Sequence, residues 1–254
     1  MATLLSTQRD HRPRFLVLLV ALGVILAGAI VATVVLAQRD RPAPWSDFTA
    51  VDDDPVARAM MIGDHVQGLY HDDAGQPLTV VTAGEDMVNT ISAPAQTVAV
   101  AADAKGAPVS FEQQNILFYR LCGPLPDCGF GSGDVTRELT VSSRQAQELA
   151  LRGFKDVPEA TAVMAIMPPG FLEMTGPVGE QPDTVLYFRR SDLSGELDRP
   201  LRETVPAPVA PAKLTDAAVS VTRDALVPAL FSMRSHESSD GTGVIYQLTP
   251  PPNG

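Results

Sequence analysis

The sequence runs to 254 residues with 19 basic and 30 acidic side chains and two cysteines. Setting aside residues 1–41, which hold five Arg and two Asp, leaves 14 basic against 28 acidic residues, a net charge of −14 on the remainder. Such a field repels nucleic acid and anionic headgroups, which excludes a nucleic-acid partner and a peripheral basic membrane patch, and it serves solubility without requiring a cationic partner.

The first element in chain order is an uncharged apolar run from Phe15 to Ala37, preceded by a basic leader over 1–14 with Arg9, Arg12 and Arg14 and followed by Arg39 and Arg41. As helix it would cover about 35 Å, enough for a hydrocarbon core of about 30 Å. Val35-Leu36-Ala37 offers the small residues of a cleavage site, but the run is longer than the h-region of a signal peptide, so a transmembrane signal anchor at 15–37 is expected. The slight basic excess before the run and the long acidic remainder after it place the N-terminus in the cytoplasm and the remainder outside the cell membrane. Gly23 and Gly28 are five residues apart, which does not fit a helix-dimer motif. Arg outnumbers Lys by 16 to 3, the composition of a GC-rich, bacterial genome.

Residues 38–53 read as a juxtamembrane linker, with Trp45 either an interfacial anchor or the start of the folded domain. An extracytoplasmic α+β domain is expected over 54–250. Asp54-Pro55 reads as N-cap and first helical position of a short helix through Met60 and Met61. Leu78 to Thr82, Thr97 to Val100 and Asn115 to Leu121 read as strands, and Gly129 to Gly133 as a loop. Cys122 and Cys128, with five residues between them across a Gly/Pro turn, suit a local disulfide; the spacing fits neither thiol exchange nor zinc.

Val135 to Val141 alternates as a strand would, Ser142 with Gln145 resembles a capping box, and Ser143 to Asp156 has helical spacing with Gly153 as a flaw. Thr161 to Met167 and Thr184 to Phe188 read as strands. Leu201 to Ala212, with Pro206, Pro208 and Pro211, reads as an extended polyproline spacer. Thr215 caps a helix to about Leu226, Val244 to Thr249 supplies the last strand, and 251–254 form a frayed tail. From Val135 on, the order is strand, helix, strand, strand, helix, strand, which predicts a ferredoxin-like, split βαβ unit over 135–250.

Asp64, His65, His71, Asp72 and Asp73 are the one local concentration of His and Asp. On a continuous helix His65 and His71 would point about 240° apart, so a metal site would require a turn at Gly68; a solvated loop accounts for the same residues. Gly131-Ser132-Gly133 has its glycines adjacent to the serine rather than two residues away, so it is no nucleophile elbow, and Asp134 breaks a dinucleotide fingerprint. His236, Asp240 and Ser132 can be assembled into a triad only on paper. Arg189-Arg190 could grip a carboxylate or phosphate, or mark a solvated strand end. No catalytic, cofactor or metal residue is assigned. The expectation is a membrane-anchored extracytoplasmic interaction or accessory domain, non-enzymatic, reaching the membrane through 15–37 and binding another envelope protein or its own kind. The alternative is an exported metal-binding or hydrolytic domain using His65, His71, Asp72 and Asp73. An apolar small-molecule or lipid pocket between the sheet and the Pro-rich segment is a third reading.

Overall fold

Helix α1 (Pro55–Gln67) starts where local chemistry dictates: the Asp54 carboxylate accepts the Val56 N–H at 3.0 Å, and proline fills the first turn. It runs further than the short helix expected, because Ile62, Gly63 and Val66 carry its buried face onward to the cap at Gly68. These coordinates come from a computed structural model that describes residues 45–83, 96–101, 108–130, 134–169, 183–237 and 244–251. The predicted span at 15–37 lies outside the described residues, and among those described no helix is long and apolar enough to cross a membrane.

Eight strands among the described residues form one mixed sheet: β1 (Val80–Thr82), β2 (Gln96–Ala101), β3 (Pro108–Gln114), β4 (Ile116–Cys122), β5 (Ala162–Ile166), β6 (Asp183–Arg189), β7 (Leu230–Glu237) and β8 (Val244–Thr249). Their spatial order is β1-β4-β5-β6-β7-β8-β2-β3. β4 with β5 and β2 with β8 run parallel; the other neighbours are antiparallel. The strands before and after residue 130 share this sheet, so 54–130 is not a separate domain.

Between β4 and β5 runs α2 (Val135–Asp156), a helix of 22 residues. The predicted strand Val135 to Val141 is its first two turns. Asp134, not Ser142, is the N-cap, accepting the Arg137 N–H at 3.2 Å. Leu139, Ala146, Leu149 and Gly153 continue one helical stripe through Ser142, whose small side chain is buried without interrupting the packing. The alternation of Val135, Leu139 and Val141 was compatible with both periods over so short a window.

The split βαβ arrangement is not formed. Its parallel strands require another strand between them, whereas β4 and β5 pair directly, from Ile116 with Ala162 to Arg120 with Ile166. β6 and β7, on either side of the second long helix, are antiparallel neighbours rather than parallel ones. The coarser expectation, an α+β domain on a mixed sheet, stands.

After β6 come two single turns, α3 (Ser194–Leu197) and α4 (Leu201–Thr204), a 3-10 turn at Pro211–Lys213, and α5 (Asp216–Leu226), capped by Thr215 as expected. The predicted polyproline spacer is therefore only partly extended. Leu201 and Val205 are buried against Leu151 of α2, with Trp45, Leu193 and Leu197 beside them. Trp45 begins the folded domain: its carbonyl accepts the Leu201 N–H at 3.2 Å.

Strand side chains alternate between two cores. Leu117, Tyr119, Val163, Ala165, Leu186 and Phe188 face the helices. Ile116, Phe118, Met164, Ile166, Val185 and Tyr187 face the other way and are equally buried. Burial on both faces explains why β5 reads as unbroken apolar sequence. The second face is closed by the sheet itself. Phe118 on β4 and Tyr246 on β8 meet at 4.9 Å between ring centroids, although four strand spacings in a flat sheet would separate them by about 19 Å. The sheet is thus strongly coiled.

Cys122 and Cys128 form a disulfide, Cα atoms 4.3 Å apart, at the end of β4. The loop is tight: Gly123 N–H donates to the Cys128 carbonyl at 2.8 Å, and a Cβ on Gly123 would collide with the Gly129 carbonyl. Replacing both cysteines by serine is expected to remove about 2 kcal/mol of stability on the chain-entropy model, read as a lower urea midpoint.

Candidate functional site

The His and Asp residues singled out in the sequence do not converge, and among the described residues no three His, Cys, Asp or Glu side chains gather as a metal site. His65 lies on α1, its ring stacked on Phe48 at 3.9 Å and 7°. His71 is exposed and bridges to Pro77 in the next turn. Asp72 Oδ1 accepts the N–H groups of Ala74 at 2.9 Å and Gln76 at 2.8 Å, and Asp73 Oδ1 accepts the Ala212 N–H at 3.0 Å. These carboxylates shape a turn, with Gly75 at φ 81°, and fasten the Pro-rich segment to it.

His236 is exposed on β7, while Ser132 and Asp240, its paper partners, lie outside the described residues, as does Gly131-Ser132-Gly133 as a whole. Arg190 is a structural clamp rather than an anion grip. Its Nε donates to the Ala160 carbonyl at 2.8 Å and its Nη2 to Val157 at 2.9 Å, with the guanidinium 5.0 Å from the Phe154 ring centroid. Arg189 Nε pairs with Asp192 at 2.8 Å.

The dominant ionic constellation was not singled out from the sequence. Every residue of α2 from Leu139 to Phe154 except Gln147 is buried, including Arg144, Gln145, Glu148 and Arg152. At its centre the Glu148 carboxylate is fully buried. Oε1 accepts Arg152 Nε at 2.9 Å, Arg152 Nη2 at 2.8 Å and Arg202 Nη2 at 3.0 Å; Oε2 accepts Arg202 Nη1 at 2.7 Å and the Tyr70 hydroxyl at 2.9 Å. Arg152 Nη1 also donates to Ser46 Oγ at 2.7 Å. Burial, reinforced by the neighbouring carboxylate, pushes the Tyr70 phenol well above its ordinary pKa, which keeps it a donor. Five hydrogen bonds on two oxygens exhaust a carboxylate's acceptor capacity, so Glu148 has no lone pair to offer a substrate proton. The cluster joins the turn after α1 at Tyr70, α2, α4 and the segment at Ser46. The only sequence signal for it was Glu148 and Arg152 at i, i+4, a spacing that ordinarily marks a solvated helix face.

A second feature is a half-open cavity of about 200 Å3 between α2, α5 and the start of β7, with Leu139, Leu186, Val219, Leu226 and Leu230 in its walls. It lies beside α5, not under the Pro-rich segment where an apolar pocket was anticipated.

His65 supplies a pH-dependent term. Partial burial, and then the Arg152 guanidinium, lower its pKa below the usual 6.5, so the folded state prefers the neutral ring. As pH falls below that value the unfolded chain takes up the proton first, and stability declines until the folded pKa is also passed. Burial raises Asp156 and Glu138, which act in the opposite sense at lower pH. The expected result is that the difference in Tm between the wild type and His65→Phe shifts against the wild type from pH 7.5 to pH 5, by thermal unfolding at matched ionic strength.

Comparison of the chain with protein-family models, with curated proteins and with solved structures finds no match.

Proposed function

We propose that this chain is a single-pass membrane protein, N-terminus cytoplasmic, whose α+β domain stands outside the membrane and acts by binding another envelope protein or a second copy of itself. The observation that carries the topology is an uncharged apolar run, Phe15 to Ala37, followed by a domain with a disulfide between Cys122 and Cys128. The two features point the same way, since a disulfide persists in oxidising compartments. Binding is supported by Val51, Met60 and Met61, 78%, 46% and 38% exposed within eleven residues at the domain's entry. Methionine is adaptable and frequent at protein-binding surfaces.

The test has two readouts. Alkaline phosphatase fused after Gly254 should be active and a green fluorescent fusion there dark; the reverse overturns the topology. A photoreactive residue in place of Met61 should give a discrete cross-linked adduct in cells that Met60→Glu removes. A cross-linking pattern no different from that of the same residue at Ser220 overturns the binding reading.

A further inference from the structure

The cavity beside α5 has the construction of a ligand site that the binding role above does not use. Of the four threonine and serine hydroxyls in its wall, those of Thr140, Ser143 and Thr222 are already committed, and Thr136 adds a fourth at the start of α2. Thr140 Oγ1 donates to the Thr136 carbonyl at 2.7 Å, Ser143 Oγ to Leu139 at 2.7 Å, and Thr222 Oγ1 to Ala218 at 2.8 Å while accepting Arg144 Nε at 2.9 Å. With these three hydroxyl protons spent within their own helices, the wall offers an occupant mainly carbon. A closed apolar cavity of about 150 Å3 stays dry and holds a six-carbon ring. At about 200 Å3 this cavity accommodates a somewhat larger apolar body.

Among the residues lining it, Arg223 is the one that carries a charge. Its side chain is 69% exposed, and its nearest carboxylate, Asp224, stands 3.8 Å away, beyond hydrogen-bond distance. On a chain of net charge −11 this is a local cation beside an apolar opening. We propose that the cavity binds a small carboxylate with an aliphatic or aromatic body of about six to eight carbons, the body between α2 and α5 and the carboxylate on Arg223. Free carboxylates and membrane lipids share this chemistry, but the volume does not take the two acyl chains of a diacyl lipid, so the free acid is the occupant.

The test titrates 13C-labelled octanoate into the full chain in lipid nanodiscs, with empty nanodiscs subtracted, and follows binding by NMR. One saturable site is expected in the millimolar range or tighter. Val219→Phe, which fills the cavity from α5, and Thr140→Leu, which fills it from α2, should each weaken octanoate about tenfold. Arg223→Gln, at an exposed position that does not threaten folding, should weaken octanoate about fivefold and leave octan-1-ol unchanged. Absence of saturation to about 10 mM overturns the proposal. So does equal loss of octanoate and octanol in Arg223→Gln, or a photoreactive lipid that cross-links at Val219 and is not displaced by octanoate.

Discussion

Glu148→Ala should lower the stability of the domain by about 3–5 kcal/mol, a large part of what a domain of this size possesses. The substitution removes one buried carboxylate and leaves two guanidinium groups that were paired with it. Arg152 has no retreat, because its side chain is 4% exposed. Arg202, with a side chain 40% exposed, can turn to water, and Arg202→Ala, which leaves Glu148 paired with Arg152 and Tyr70, should cost only about 1–2 kcal/mol. The asymmetry follows from desolvation rather than from attraction. Glu148→Leu combined with Arg152→Met and Arg202→Met, which removes every charge at once, should therefore be more stable than Glu148→Ala alone. Urea unfolding of the three proteins decides it; a Glu148→Ala midpoint close to the wild type would mean that the cluster is solvated in solution.

The parts of this fold that could be read from the sequence are those decided within a few residues. Asp54-Pro55 and Thr215 cap helices because a carboxylate or hydroxyl reaches an N–H two or three residues on, and nothing distant competes. β4, β5 and β6 are apolar enough to be strands in any context, and both cysteines lie close enough to pair. The failures have a common origin in tertiary burial. Ser142, Ser143, Arg144, Gln145, Glu148 and Arg152 give α2 the look of a helix with a wet side, and the reading of Leu201 to Ala212 as a spacer left nothing to cover that side. In the folded domain Leu201 and Val205 do cover it, and the polar groups find one another instead.

The sheet was misread for a related reason. Which strands become neighbours depends on pairings such as β2 with β8, between segments far apart in sequence, and on coiling that brings Phe118 to Tyr246. No local pattern encodes either. The His65 to Asp73 cluster, which entered only as the alternative reading, shows that closeness in sequence does not make a site: the chain turns at Gly68 and sends His65 to Phe48 and Asp73 to the Ala212 backbone.

Gly153, which the sequence presents as a flaw in a helix, should refuse a branched side chain, with Gly153→Val lowering stability by about 3 kcal/mol. A Cβ at this position would lie 2.9 Å from Leu117 Cδ1 and 3.4 Å from Val163 Cγ2, side chains of β4 and β5 that are themselves buried. Glycine is thus the contact point at which α2 comes down on its two parallel strands. Alanine makes the same first contact but regains about 1 kcal/mol of helix propensity, so Gly153→Ala should fall within about 1 kcal/mol of the wild type. Valine adds two methyl groups to a close-packed space and takes less helix propensity in return, so overpacking dominates. Because the first atom met is Leu117 Cδ1, the clash should be relieved by shortening that side chain. Gly153→Val with Leu117→Val should lose at least about 1 kcal/mol less than the two single changes add up to, whereas strict additivity would mean that the helix lies further from the sheet than described.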